Sequence, residues 1–247
     1  MTKILHTTLL SLKNALLDFI FPPRCFGCDK DIETGFICDK CYTKVTTTAL
    51  GVCPICGMPK DYEDKCNHIL FHNRSGANKL TRIRALGKYL PPYLTLIHHL
   101  KYHSKKKIAK VLGLGLTNLI NSDPILSRAD YLTPIPLHPA RLRERGFNQS
   151  LLLAKETAFG TGIKLNDCLK RKKNTNSQTG YDNQKRVLNV ANAFVLKNNL
   201  DFSIDKRKVI LVDDVITSGA TLVAAADTLI KNGVSEVYAI VVASAQT

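Results

Sequence analysis

The chain has no tryptophan, two methionines and only 20 acidic residues in 247 positions. With aromatics at 7%, platforms for stacking bases are sparse, so any polyanion binding should be mainly electrostatic and strongly salt-dependent. No run of roughly 18 uninterrupted apolar residues occurs, which excludes a membrane-spanning helix. Residues 1–22 carry Leu and Ile at helical spacing, broken by Lys13 and Asp18, with no A-x-A-like cleavage site. They predict an amphipathic helix packed on the body or on a partner, not a signal peptide. No G-x-x-x-x-G-K-[ST] is present, so a P-loop nucleotidase is excluded.

The shortage of acid leaves a large positive excess: 35 Lys and Arg, a formal charge of +15 and a pI near 9.5. Such a surplus points to a polyanionic partner, with nucleic acid first, or to a generally basic protein with no such partner. Apolar content of 45% supports a packed core, and the length predicts one large or two small domains.

Cysteine is clustered: seven of the eight lie between positions 25 and 66. Cys25-x-x-Cys28 and Cys38-x-x-Cys41 are two knuckles, each offering two thiolates at a tight turn, as tetrahedral zinc requires. With no secretory signature, the chain reads as cytoplasmic, and the spacing as a metal site rather than disulfides. The small segment around them has little core, so metal would supply much of its folding energy, about 10 kcal/mol. A second half is less complete. Cys53-x-x-Cys56 is a third knuckle, but Cys66 has Ile69 where a partner cysteine would fall. Three arrangements fit: a Cys3His site completed by His68 or His72, a ribbon half held by packing alone, or a crossed pairing of knuckles. Together residues 23–72 predict a single or double zinc ribbon. Cys168 reads as an inert thiol.

The most informative stretch is 209–221, Val-Ile-Leu-Val-Asp-Asp-Val-Ile-Thr-Ser-Gly-Ala-Thr. Four apolar residues predict a short buried strand ending in Asp213 and Asp214. A turn follows through Val215, Thr217, Ser218, Gly219, Ala220 and Thr221, and then an alanine-rich helix from about Leu222. In an open parallel sheet, ligands bind at that end of a strand. The turn aims N–H groups and hydroxyls at one point beside a helix N-terminus, which favours an anion. A phosphate cradle with two carboxylates nearby suits a ribose 5-phosphate. Two blander readings compete, a magnesium site of Walker-B type and a plain strand–turn–helix with an aspartate cap.

Around it, 82–89, 131–137 and 235–243 predict strands, and 93–119 and 150–159 predict helices. The basic run at 101–107 reads either as a solvated helix start or as an anion contact. His98, His99 and His103 read as structural. The strand at 131–137 leads into His138, Arg141, Arg143, Arg145, Asn148 and Gln149. Arginines at alternate positions predict a cationic loop able to grip pyrophosphate oxygens through guanidinium forks, with an exposed basic helix start as the blander reading. Residues 170–194 are polar and loop-rich, and their place before the Asp-Asp strand suits a lid. Residues 80–247 thus predict an α/β domain, a parallel sheet flanked by helices.

The 209–221 segment closely resembles the signature of the type I phosphoribosyltransferases, which bind phosphoribosyl pyrophosphate (PRPP). That resemblance implies that Asp213 and Asp214 hold the ribose hydroxyls, that residues 217–221 hold the 5-phosphate, and that Mg2+ accompanies PRPP. Over nearly its whole length the chain resembles the ComF/GntX-like family, a cysteine ribbon followed by a phosphoribosyltransferase domain. The resemblance rests on Pro136-Leu137-His138-Pro139 running on to Arg143-Glu144-Arg145-Gly146-Phe147-Asn148-Gln149. Thr175, Gln178, Arg186 and Asn189-Val190 support it, with Arg171 in the same lid region. Ile69 departs from the pattern. The resemblance implies a role in natural transformation, with incoming single-stranded DNA and a DNA-translocating ATPase as partners. The alternative is an active phosphoribosyltransferase acting on a base or amine, although no acceptor pocket or glutaminase module is recognisable.

Overall fold

In the computed structural model the described residues are 22–47, 80–103, 105–172, 192–198 and 203–245. In chain order they form α1 (Asp39–Thr46), β1 (Arg82–Lys88), α2 (Tyr93–Tyr102), α3 (Ile108–Asn121) and, after a 3₁₀ turn, β2 (Tyr131–Pro134). There follow α4 (Pro139–Arg145), α5 (Gln149–Thr161), β3 (Lys164–Leu165), β4 (Leu169–Arg171), β5 (Phe194–Leu196), β6 (Lys208–Ile216), α6 (Ala220–Lys231) and β7 (Glu236–Ser244). The segment 1–21, with most of the expected N-terminal helix, lies outside the described residues.

Five strands make one sheet in the order β1-β7-β6-β2-β3, every pair parallel. The centre is β6 beside β7, whose apolar runs are buried on both faces, as parallel strands covered by helices must be. Alternation sorts their side chains. Val209, Leu211, Val237, Ala239 and Val241 pack with Ala225, Ala226 and Leu229 of α6. Ile210, Val212, Tyr238, Ile240 and Val242 pack with α2, α3 and α5 on the other face. The expected α/β class is therefore observed.

Three elements differ in extent from the sequence expectation. β2 stops at Pro134 rather than continuing to Leu137, because Pro134 and Pro136 have no N–H to give a ladder. β6 runs two residues beyond its carboxylates, since Val215 and Ile216 still pair with Ala243 and Ser244 of β7. The arginine segment is a helix, not a loop. His138 caps α4 through Nδ1, which accepts the Ala140 N–H at 3.2 Å, Pro139 opens it, and Gly146 ends it at φ +77°.

The first cysteine module is fused to this domain. Val45 of α1 is fully buried among Leu96, Ile97, Leu112 and Leu116. Tyr93 Oη donates to the Lys44 carbonyl at 2.8 Å, Asn118 Nδ2 donates to that of Thr46 at 2.8 Å, and Thr95 Oγ1 donates to that of Gly27 at 2.6 Å. Gly115 of α3 lets the Val45 carbonyl approach so closely that a Cβ would collide with it.

Candidate functional site: an acidic strand end beside an open helix start

Asp213 and Asp214 sit next to each other on β6, so their side chains leave opposite faces of the sheet. β2 has already ended, with Pro134 opposite Val212, and the first turn of α5 brings Ser150 into the space beyond it. Ser150 Oγ donates to Asp213 Oδ1 at 2.8 Å, and the Asp214 N–H donates to the same oxygen at 2.9 Å. Burial and the neighbouring Asp214 still push the Asp213 carboxyl up to about 7, against Ser150 and Lys101, which favour its charge. Asp214 is buried, and its Oδ2 lies 2.7 Å from Lys101 Nζ on α2. Burial works against the Lys101 ammonium, but the Asp214 carboxylate outweighs it and the lysine pKa is raised.

Beyond Ile216, residues 217–219 turn the chain into α6. Gly219 takes φ +74° at the N-cap and offers no side-chain acceptor. Ser218 Oγ reaches the Ala220 N–H only at 3.5 Å, a weak contact. The first turn of a 12-residue helix therefore opens onto the loop without a strong cap, beside the Thr217, Ser218 and Thr221 hydroxyls. N–H groups and helix dipole at such a start suit a phosphate.

The arginine segment divides. In a helix, positions two apart point different ways. Arg141 and Arg145 share a half-buried side, while Arg143 is exposed. Arg145 donates to Gln149 Oε1 at 2.6 Å, and Asn148 caps α5 by accepting the Ser150 N–H at 3.1 Å. Arg171 stands on β4, which pairs with β5 in a two-stranded antiparallel sheet. Burial lowers the Arg171 pKa, Asp213 raises it and Arg141 lowers it further, so all three share one electrostatic neighbourhood. Gln178, Arg186 and Asn189 lie outside the described residues.

Two members of the site were missed from sequence. Lys101 was seen only as part of a basic run, yet its place four residues after buried Ile97 puts it on the apolar stripe of α2. A lysine at such a position needs a buried partner, and that was the available signal. Ser150 carried no signal beyond its closeness to a cap.

Cys25, Cys28, Cys38 and Cys41 converge, their sulfurs all within 4.8 Å of one another. Four thiolates at about 2.3 Å from one zinc stand about 3.8 Å apart, and Cys28 Sγ is 3.8 Å from Cys38 Sγ. The Gly27 and Cys38 N–H groups each donate to Cys25 Sγ at 3.3 Å. Burial alone would raise the Cys25 thiol, but these backbone donors outweigh it and bring it down to about 7, while burial and neighbouring thiols push Cys41 up. The donor set fits a structural zinc. Cys53, Cys56, Cys66, His68 and His72 lie outside the described residues. Cys168 is buried against Thr133. No helix among the described residues is long and apolar enough to cross a membrane.

Comparison with known proteins agrees with this anatomy. Residues 16–70 match the double zinc ribbon domain and residues 148–247 match the phosphoribosyl transferase domain. The chain is thus a phosphoribosyltransferase-type α/β domain carrying a cysteine ribbon. Relatives include the DNA utilization protein YhgH of Escherichia coli K12, 29% identical over 87% of this chain and 94% of its own. Competence protein F of Haemophilus influenzae is 29% identical over 86% of each chain. Competence protein ComFC of Bacillus subtilis is 28% identical over 80% of this chain and 79% of its own. Over most of its length the chain is thus similar to these competence and DNA-utilization proteins, as its motifs lead one to expect. The purine phosphoribosyltransferase of Pyrococcus horikoshii aligns with 56% of the chain and 72% of its own at a TM-score of 0.32 and 16% identity, a likeness too slight to argue from.

Proposed function

We propose that this chain is a cytoplasmic competence protein that handles incoming single-stranded DNA and holds PRPP at the end of β6. The observation that carries the PRPP reading is the paired Asp213 and Asp214 beside the uncapped start of α6. Asp213 and Asp214 would take the ribose hydroxyls, and the 217–221 turn the 5-phosphate. Arg141 and Arg171 would face the pyrophosphate, and Mg2+ arriving with PRPP would neutralise part of its charge. Lys101 and Ser150 hold the two carboxylates in place, and Lys101 must yield or share Asp214 when a ribose arrives. The names of the relatives, together with the +15 charge, support the DNA reading.

Isothermal titration of the zinc-loaded chain with PRPP and Mg2+ tests the pocket. Binding is expected in the wild type and is expected to vanish in Asp213→Asn/Asp214→Asn; equal binding by that variant would sink the assignment. An active transferase remains the second reading, favoured by a complete ribose-phosphate motif. Release of pyrophosphate from PRPP in the presence of any base or amine would establish it. DNA handling is tested by fluorescence anisotropy with a labelled single strand at low salt, and the absence of any binding would overturn it.

A further inference from the structure

Although aromatics are few, the structure lines up six rings in one place, three of them imidazoles. Phe36 and Phe26 of the cysteine module lie 6.0 Å apart, ring centre to ring centre, and Phe26 stacks on His99 at 4.6 Å. His99 is 5.1 Å from His103, His103 is 5.3 Å from His98, and His98 is 4.8 Å from Tyr102. The rings form one continuous chain from the zinc knuckle along α2. Phe26, Phe36 and His99 are half-buried and anchor the module to the helix, while His98, Tyr102 and His103 are exposed, Tyr102 to 64%.

Cations border the whole length. Lys107 lies 4.5 Å from the centre of the Phe36 ring, Lys105 lies 5.8 Å from that of Phe26, and Arg145 lies 5.5 Å from that of Tyr102. Lys106 stands over Phe147 at 5.2 Å. All three lysines are exposed. Asp29, the carboxylate felt by His99, is already engaged by Arg24 at 3.1 Å. The far end of the strip runs toward the Asp213 end of β6, because Arg145 lies over Tyr102 and donates to Gln149, next to Ser150 on Asp213.

We propose that this strip on α2 and the following lysine turn is the track for single-stranded DNA, with bases stacking on Tyr102, His98 and His103 and phosphates on Lys105, Lys106 and Lys107. The proposal rests on the DNA-handling reading above and names its surface. Exposed rings interleaved with cations match unpaired bases, whose faces are free. A duplex keeps those faces inside its own stack and would meet only the lysines.

The test is fluorescence anisotropy of a labelled 20-nucleotide oligo-dT with the full, zinc-loaded chain. Zinc content and a cooperative thermal transition serve as the checks on folding. His98→Ala/Tyr102→Ala is expected to weaken binding roughly tenfold or more, with Tyr102→Phe close to wild type. Lys105→Ala/Lys106→Ala should weaken binding more than the charge-matched Lys155→Ala/Lys164→Ala, placed on α5 and β3. If wild type binds and the ring variant binds equally well, the strip is not the track, although the DNA-handling reading stands. If the control lysine pair costs as much as the strip pair, only net charge is being read and the proposal falls. Equal affinity for duplex removes the stacking argument, and tighter binding of oligo-rU removes the DNA assignment. If wild type binds no strand at low salt, the DNA-handling reading itself fails.

Discussion

Asp213 is held by two donors and still resists ionisation, because burial and Asp214 outweigh them. Its carboxyl moves from an ordinary 3.8 to about 7. Below 3.8 the folded and unfolded chains are both protonated there. Between 3.8 and about 7 the folded chain holds the extra proton, so stability falls as pH rises through that window and stays flat above it. Asp213→Asn removes the penalty. It should gain about 1–2 kcal/mol over wild type at pH 8, a figure discounted for partial exposure, while losing ribose binding. Thermal or urea unfolding from pH 4 to pH 8 should show the gap widening with pH; a variant less stable at pH 8 would mean the carboxylate is ionised and well paired. The acidic pair is legible in the sequence because strand, acid and turn are contiguous. Lys101 is not, because it opens a run of surface lysines and only its helical phase sets it apart.

Elements were legible where one signal dominated and misread where two competed. The arginines at alternate positions fit a cationic loop or a basic helix start; a capping His138, a Pro139 at the first helical position and a terminal Gly146 decide for the helix, and Arg143 leaves the site as a result. The cysteine spacing predicted the knuckles but could not show how they dock, since docking depends on α3 carrying glycine where α1 arrives. Gly115→Ala would drive a methyl into the Val45 carbonyl and should cost about 1–3 kcal/mol in urea unfolding. An unchanged midpoint would show that α1 moves aside freely. Removal of the metal should be felt well beyond the ribbon, because Val45 belongs to the same buried cluster as α2 and α3. Cys41→Ser is expected to lose one zinc per chain by plasma mass spectrometry and to lower the melting temperature of the whole domain. A wild-type content of one zinc per chain would rule out a second site at Cys53, Cys56 and Cys66.

At the scale of the molecule, composition shows a net charge of +15, which is large, and 7% aromatics, which is small. Composition cannot see placement. The fold brings rings from the cysteine module and from α2 into one line, and half of them are imidazoles that the 7% does not count. This alters the expected form of binding. A purely electrostatic binder loses nearly all affinity as salt releases no further counterions, whereas stacking persists. If about five phosphates are neutralised, affinity for oligo-dT should fall roughly 100-fold between 50 and 200 mM salt. Extrapolated to 1 M salt, a measurable residual should remain in wild type and disappear in His98→Ala/Tyr102→Ala, with the slope unchanged, because that variant removes rings and no lysine. Lys105→Ala/Lys106→Ala should do the reverse, flattening the slope by about one to two phosphates' worth and leaving the residual intact. A titration series in which both variants shift slope and residual together would mean that rings and lysines do not act as separate contacts on one strand.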